Sequence, residues 1–360
     1  MLKKTFACTL VPVVSLFLLT LAGEVCLRVY HFLKEGMPIE RWPEYLVGHY
    51  WTTTLDDELG WKATENYRLI RQEETAEGKP YDLRLSQDAQ GFRQFGNVAS
   101  KKPKIFVIGD SFTQAREVSD GKPYYAIVGQ RLDAEMFAYG VENYGTLQEL
   151  MVLDRYLDWI QPDVIVWQWC SNDFANNDPE LDRRTTSHND FRERPYWVEG
   201  KIRYILPQAT FTALRRWSYR YSHFLVFVFS RIDRLRLKYS RPTLEEQIQE
   251  QGLAHQGFAR AVQTTEALLQ RGVRRVRGVP IVAFNCTDED PYTQQFREMS
   301  KRLGIFFIDD VARTIREQHA TGADLYHADH AHWNETGHHI AGDVLSRAVQ
   351  PLVRDLHPKP

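Results

Sequence analysis

The chain has 360 residues, 43% of them hydrophobic and 26% charged, with 45 basic and 47 acidic side chains for a formal net charge of -2. A globular composition of this length buries one large or two ordinary cores, which excludes the disordered and low-complexity classes. The balanced charge gives no electrostatic reason for a nucleic-acid partner, since the basic runs are local.

At the N-terminus Lys3 and Lys4 precede the apolar stretch Thr5 to Ala22, which Gly23-Glu24-Val25-Cys26-Leu27-Arg28 closes. About 18 apolar residues is near the minimum that spans a bilayer and longer than most signal-peptide cores. Residues 1–34 are therefore expected to form an uncleaved transmembrane anchor, with Lys3 and Lys4 inside and the remainder exported to the periplasmic or extracellular side. Leu21-Ala22-Gly23 is small enough for signal-peptidase cleavage, the alternative fate, whereas Cys26 lies too far away for a lipoprotein box. A buried N-terminal helix fits poorly with an apolar segment lacking any polar face.

Residues 35–103 mix Trp, Tyr, charge and turn signals such as Asp56 to Trp61 and Gln90 to Arg93, and predict short β elements decorating the main domain at 104–355. From there apolar runs alternate with helical periodicity. The runs Ile105–Ile108, Glu135–Val141, Val164–Trp169, Pro280–Phe284 and Ile305–Ile308 are short and apolar, as strands of a doubly covered parallel sheet should be. Between them, helices are expected over Pro123–Leu132, Leu147–Ile160, Leu244–Leu269 and Tyr292–Leu303, with Thr243-x-x-Glu246 as a capping box. Strands alternating with helices predict an α/β/α sandwich around a five-stranded parallel sheet.

About 110 residues separate the third run from the fourth, too many for a simple crossover, so an insertion is expected at about 175–242. Pro195 to Val198 and Lys201 to Ile205, joined by Glu199-Gly200, predict a hairpin. Phe211 to Leu237 then has Leu214, Trp217, Tyr221, Phe224, Leu225, Val228, Phe229 and Ile232 at helical spacing among arginines. Its simplest role is an amphipathic helix packed on the domain, and a membrane-surface or lid helix is the alternative. Of the four cysteines, Cys8 and Cys26 fall in or beside the apolar segment. Cys170 and Cys286, on separate strands with no disulfide framework around them, are expected to be buried and reduced.

The chemistry concentrates at three blocks. Ile108-Gly109-Asp110-Ser111 reads as a strand entering a tight turn, which lifts the Ser111 hydroxyl onto the carboxyl edge of the sheet. Near the C-terminus, Asp329 and His332 stand three residues apart before a helix. A hydroxyl is a poor nucleophile until an imidazole takes its proton, and the imidazole needs a carboxylate to fix its tautomer, so the three residues supply a relay. Gly-x-Ser-x-Gly is absent, so Ser111 is not presented as on a nucleophile elbow.

Gly109-Asp110-Ser111, then Ser171-Asn172-Asp173 after the third strand, then Asp329-x-x-His332 resemble in order and spacing the GDSL or SGNH hydrolases, over roughly residues 55 to 350. The resemblance implies a flavodoxin-like fold with Ser111 as nucleophile, His332 as base and Asp329 orienting it. It also implies an oxyanion hole from the Ser111 backbone N–H, a backbone N–H after the second strand and the Asn172 amide. Here the chain departs from the family's glycine: Ala138-Tyr139-Gly140-Val141-Glu142-Asn143-Tyr144-Gly145-Thr146 puts Asn143 at that position. Asparagine tolerates positive φ better than most residues, and a shift of two would give the role to Gly145.

Each residue also has a plainer reading. Ser111 could be only a helix N-cap, Asn172 and Asp173 could simply close a turn, and Asp110 is expected to stabilise its turn. His327, His330, His332, His338 and His339 crowd together with Asp324 and Asp329, but their spacing matches no closed zinc pattern and no metal is expected. His338 and His339 belong to the first turns of the last helix. The expected function is a serine esterase without cofactor, acting on an acylated small molecule, envelope glycan or lipid. The rivals are an O-acyltransferase using the same triad on a polysaccharide and a catalytically silent glycan-binding protein.

Overall fold

Strands that are apolar on both faces need helices above and below them, and the chain meets that need with a three-layer α/β/α arrangement. The computed structural model describes residues 2–35, 39–40, 52–185, 192–206 and 210–356, without the side chains of 2–10, 13, 35, 355 and 356. The Lys3, Lys4 and Cys8 side chains, and parts of the 35–103 and 175–242 segments, lie outside this description.

Helix α1 (Leu2–Glu35) comes first, and its Val14–Lys34 portion has a mean hydropathy of 1.5 with none of it buried. Two hairpins follow, β1 (Thr53–Asp56) with β2 (Gly60–Ala63) and β3 (Arg68–Glu74) with β4 (Pro80–Ser86). Strand β5 (Gln94–Phe95) instead pairs antiparallel with the main sheet.

The main domain continues with β6 (Lys104–Gly109), α2 (Ser111–Gln114), α3 (Tyr124–Leu132), β7 (Glu135–Gly140), α4 (Thr146–Ile160), β8 (Val164–Trp169), α5 (Asn172–Asn176) and α6 (Pro179–Asp182). The insertion adds the hairpin β9 (Arg194–Val198) and β10 (Lys201–Ile205), then α7 (Thr212–Tyr221) and α8 (His223–Lys238). The chain closes with α9 (Leu244–Gln251), α10 (Gln256–Arg275), β11 (Ile281–Asn285), α11 (Tyr292–Leu303), β12 (Phe306–Ile308), α12 (Asp310–Ala320) and α13 (Glu335–Leu356).

The sheet order is β12-β11-β8-β6-β7-β5. Five strands are parallel, and the sheet has a sixth, antiparallel β5, at its edge. Two residues are too short to register as an apolar run, which is why this strand carries no sequence signal. The chain leaves β6 for β7 on one side and then crosses to β8 on the other, so β6 is the switch point of a flavodoxin-like order. Alternation along β6 sends Phe106 and Ile108 into the core under α4, α10 and α11, and Ile105 and Val107 into the core under α3, α12 and α13. Each such fully buried side chain contributes ~1.5–3 kcal/mol.

Two expected helices are broken. The helical pattern over 244–269 is interrupted by the turn Gly252–Ala254, with Gly252 at φ 52° and the His255 side chain accepting from the Phe258 N–H to start α10. The pattern over 211–237 divides at Ser222, whose extended backbone and hydroxyl cap α8. In both places a capping side chain outcompetes continuation of an apolar stripe. The Thr243 capping box is present. Cys170 and Cys286 are joined in a disulfide, which corrects the expectation of reduced thiols. Parallel pairing brings their Cα atoms to 5.5 Å at the ends of adjacent β8 and β11, a contact 116 residues apart in sequence.

Candidate active site

The blocks meet along the carboxyl edge of the sheet. Gly109 ends β6 where a β-carbon would collide with Gln168 and Thr113, so only glycine lets the backbone turn so close to β8. Asp110 then caps α2 by accepting from the Phe112 N–H at 3.1 Å, while its own N–H donates to Gln168 Oε1. Ser111 is consequently the first residue of the helix and not its cap, which leaves its hydroxyl unclaimed by the turn. Asp110 has the turn-stabilising position expected of it, and burial pushes its carboxyl above the usual range.

The Ser111 hydroxyl lies 2.9 Å from His332 Nε2, and His332 Nδ1 lies 2.6 Å from Asp329 Oδ2. With Nδ1–H donating to the carboxylate, Nε2 turns its lone pair towards the Ser111 hydroxyl, which donates to it. Asp329 Oδ1 accepts the N–H groups of Ala331 and His332 at 2.9 and 3.0 Å, so the carboxylate shapes the loop that presents the imidazole. Trp333, buried and edge-on to Phe112 at 4.7 Å, anchors that loop to α2.

Burial disfavours a cation at His332, but the Glu117 and Asp329 carboxylates outweigh it and the imidazole titrates above its usual range. Burial likewise opposes the Asp329 anion, yet the hydrogen bonds with His327 and His332 hold it well below the carboxylate range. Glu117 is a residue that no sequence motif flags. It is buried, its Oε1 stands 3.6 Å from His332 Nδ1, and Arg116 holds it at 2.7 Å. The imidazolium and Arg116 overcome its burial and keep it ionised. Arg116 also pairs with Glu142, next to Asn143, and so links the base to the loop after β7.

Asn143 adopts φ 58°, the left-handed conformation that asparagine tolerates. It lines the same cleft as Ser111 and Asn172, and among the described residues its N–H has no hydrogen-bond partner. Gly145 has φ -111° and caps α4, with its N–H directed at Gln148 Oε1 at 3.4 Å. Asn172 begins α5 at the cleft and donates to Asn176 Oδ1 at 2.8 Å, and its side-chain amide also faces the Asp110 carboxyl. It is Asp173 that closes this turn, accepting from the Cys170 N–H at 2.7 Å.

Arg194, from the insertion, is another residue that sequence reasoning missed. It is fully buried, donates to the carbonyl oxygens of both Asn143 and Asn176, and stacks over Trp61 at 4.8 Å. One guanidinium thereby holds the loops after β7 and β8.

Among the histidines weighed for metal, only His332 joins Glu117 and Asp329 in a set of ligating atoms within 4.8 Å of one another. His338 is packed against Tyr124 and pulled down to about 3 by burial, whereas His339 is on the surface near Asp343. Burial opposes a charge on His327, yet its hydrogen bonds with Asp329 and Glu73 push it up to about 9. His330 stands at φ 58° on the rim of the cleft. The cleft encloses about 820 Å³, and Tyr292, Tyr326, Glu245, Gln249 and Arg316 line it beyond the serine.

Fold and site define a three-layer α/β/α protein with a serine–histidine–aspartate relay at its switch point. No family model matches the chain, and no curated protein does. Among solved structures it is similar to a lipase/acylhydrolase from Enterococcus faecalis, at 14% identity over 69% of this chain and 96% of that one, with a TM-score of 0.39. It is similar also to LAE5, an alpha/beta hydrolase enzyme from the metagenome of Lake Arreo, at 14% identity over 71% and 99% of the two chains, TM-score 0.38. A third is Axe2, an acetylxylan esterase from Geobacillus stearothermophilus, at 14% identity over 68% and 93%, TM-score 0.38.

Proposed function

We propose that the chain is an SGNH-type serine esterase that removes an O-linked acyl group through an acyl-serine intermediate. The observation that carries this reading is the unbroken contact from Asp329 through His332 to the Ser111 hydroxyl, at 2.6 and 2.9 Å. His332 Nε2 takes the serine proton as Oγ attacks the ester carbonyl, and Asp329 stabilises the imidazolium that forms. The oxyanion is met by the N–H groups of Ser111 and Asn143 and by the Asn172 amide, which turns a proton from Asp110 towards it. The imidazolium then protonates the departing alcohol. Water, giving a proton to His332, attacks the acyl-serine carbonyl; as the C–Oγ bond breaks and the acid leaves, the His332 imidazolium returns that proton to Ser111 Oγ.

The cleft suits a short acyl group on a polar carrier such as an envelope glycan or a lipid headgroup, because its outer walls combine Tyr292 and Tyr326 with polar and charged side chains. An exported domain behind an N-terminal anchor agrees with the Cys170–Cys286 disulfide, since such bonds persist in oxidising compartments. The test is hydrolysis of short-chain aryl esters and labelling by a serine-directed fluorophosphonate. Wild-type protein is expected to do both and Ser111→Ala neither; a wild type inert in both assays, or activity that survives the substitution, refutes the reading. Measuring acid released against acyl groups transferred to added oligosaccharide separates hydrolysis from transfer.

A further inference from the structure

Two helices of the insertion carry uncovered apolar and basic side chains beside the membrane segment. The apolar run Thr5 to Ala22 ends at Gly23 and Glu24. About 18 residues at a rise of ~1.5 Å cover ~27 Å, close to the ~30 Å hydrocarbon core of a bilayer. The apolar portion Val14–Lys34 runs further, but its first charges, Glu24 and Arg28, form an ion pair, and on the run Thr5 to Ala22 we take Glu24 as the level at which α1 leaves the hydrocarbon.

Helix α8 begins at that level. The Ser222 hydroxyl and the Phe224 N–H each donate to Glu24 Oε2 at 3.0 Å, and Arg28 holds the other carboxylate oxygen at 2.9 Å. The Phe224 ring lies so close over Gly23 that a β-carbon there would overlap it, and the His31 and His223 rings meet at 5.7 Å. From this junction α7 turns Leu214, Trp217 and Tyr221 outward, and α8 does the same with Phe227, Ile232 and Leu235; all six are 43–53% exposed.

Residues 212–238 include seven basic side chains and one acidic. The single acid, Asp233, is buried in a two-pronged pair with Arg215. Every exposed charge on the two helices is therefore positive. Arg216 and Arg220 of α7 pair with Glu193 and Asp57, so the basic face is that of α8, with Arg231, Arg234, Arg236 and Lys238 exposed; apolar and aromatic anchors beside such a face are the features of a helix lying in a headgroup layer, where anionic lipids attract Lys and Arg. A lid over the serine would need these helices at the cleft, yet its lining resumes only at Glu245 of α9 and includes no residue of α7 or α8.

We propose that α7 and α8 form a second membrane contact, seated on the headgroup layer of the leaflet that α1 enters on the side of the folded domain, with a preference for anionic lipid. The domain is then fixed at the bilayer by a span and by a surface.

The full-length protein in lipid nanodiscs tests this. A photoreactive benzoylphenylalanine is placed at Leu235 and, as a control, at Phe306 on the exposed edge strand β12. After irradiation, lipid adducts are located by mass spectrometry. Leu235→benzoylphenylalanine is expected to give at least ten times more lipid adduct than Phe306→benzoylphenylalanine. Discs containing phosphatidylglycerol are expected to raise the yield several-fold over pure phosphatidylcholine, and R231E/R234E/R236E, with its fold checked by circular dichroism, to remove that gain. Equal adducts at both positions, or crosslinks to a second copy of the protein in place of lipid, overturn the membrane contact. Equal yields in the two lipid compositions overturn the anionic preference.

Discussion

The proposed oxyanion hole is the place where the chain departs from the SGNH pattern it resembles, and Asn143→Gly tests how it works. The substitution removes a side-chain amide and keeps the backbone N–H, which has no partner among the described residues. Losing one oxyanion donor costs ~10²–10³ in kcat, or ~2.7–4 kcal/mol. If the donor is the N–H, Asn143→Gly is expected to hold kcat within about twofold of wild type on a short-chain aryl ester, against that ~10²-fold scale. Stability moves little, because glycine relieves the left-handed strain at φ 58° while adding ~0.5–1 kcal/mol of unfolded-chain entropy. Asn143→Ala keeps the N–H but meets the full left-handed penalty, so it is expected to lose ~1 kcal/mol, a fall in Tm of about 2 °C. Asn172→Ala completes the set: it removes a side-chain donor and is expected to lower kcat ~10²–10³-fold with KM little changed. A hundredfold loss in Asn143→Gly at wild-type Tm moves the donor to the side chain and refutes the backbone assignment. An Asn172→Ala enzyme of near wild-type kcat removes Asn172 from the hole.

Two further substitutions probe the surroundings of the relay. His332 is a base only when neutral, so the rate rises with pH through its titration, and Glu117 at 3.6 Å favours the cation; Glu117→Gln is expected to move the acid limb of kcat/KM to lower pH. A limb that stays in place removes Glu117 from the electrostatics of the base. For the disulfide, closure over 116 residues gives a chain-entropy stabilisation of at most ~5 kcal/mol. The double variant C170A/C286A is expected to show a lower Tm and, since Cys170 stands two residues before Asn172, a lower kcat; a melting curve and kcat equal to wild type contradict both roles.

The layered fold was legible because each central strand is an unbroken apolar run bounded by turns. The five parallel strands fall within a residue or two of the runs beginning at Ile105, Glu135, Val164, Pro280 and Ile305. What escaped depends on contacts across the chain or on competition at a single residue. Gln94 and Phe95 become a strand only because the β7 edge is there to pair with. Ser222 and Gly252 break apolar stripes that periodicity alone would run through, because capping and a left-handed turn are decided over one or two residues. The disulfide required knowing that β8 and β11 are neighbours, which no spacing encodes when an insertion of unknown path lies between them.

At the site, Ser111, Asp329, His332 and Asn172 were legible because local turn chemistry binds each to a short motif. Glu117 and Arg194 were not, because they act through atoms far away in sequence. Arg194 is the more consequential, since it arises in the insertion and yet holds the Asn143 and Asn176 carbonyls from beneath. An N–H aimed into a cleft stays aimed only if its own peptide plane is held; the Asn143 N–H shares its plane with the Glu142 carbonyl, which accepts from Trp61 Nε1 at 3.0 Å, and Arg194, stacked on Trp61, fixes the next plane through the Asn143 carbonyl. The glycine that the family places after the second strand meets a left-handed turn without strain. With asparagine there, the turn has a cost that the surrounding structure must offset, and the carbonyl grip of Arg194 is the contact positioned to do it. The insertion is thus joined to the segments after β7 and β8 through Arg194 and to helix α1 through α8, so one piece of chain connects the N-terminal helix to the segments that flank Ser111.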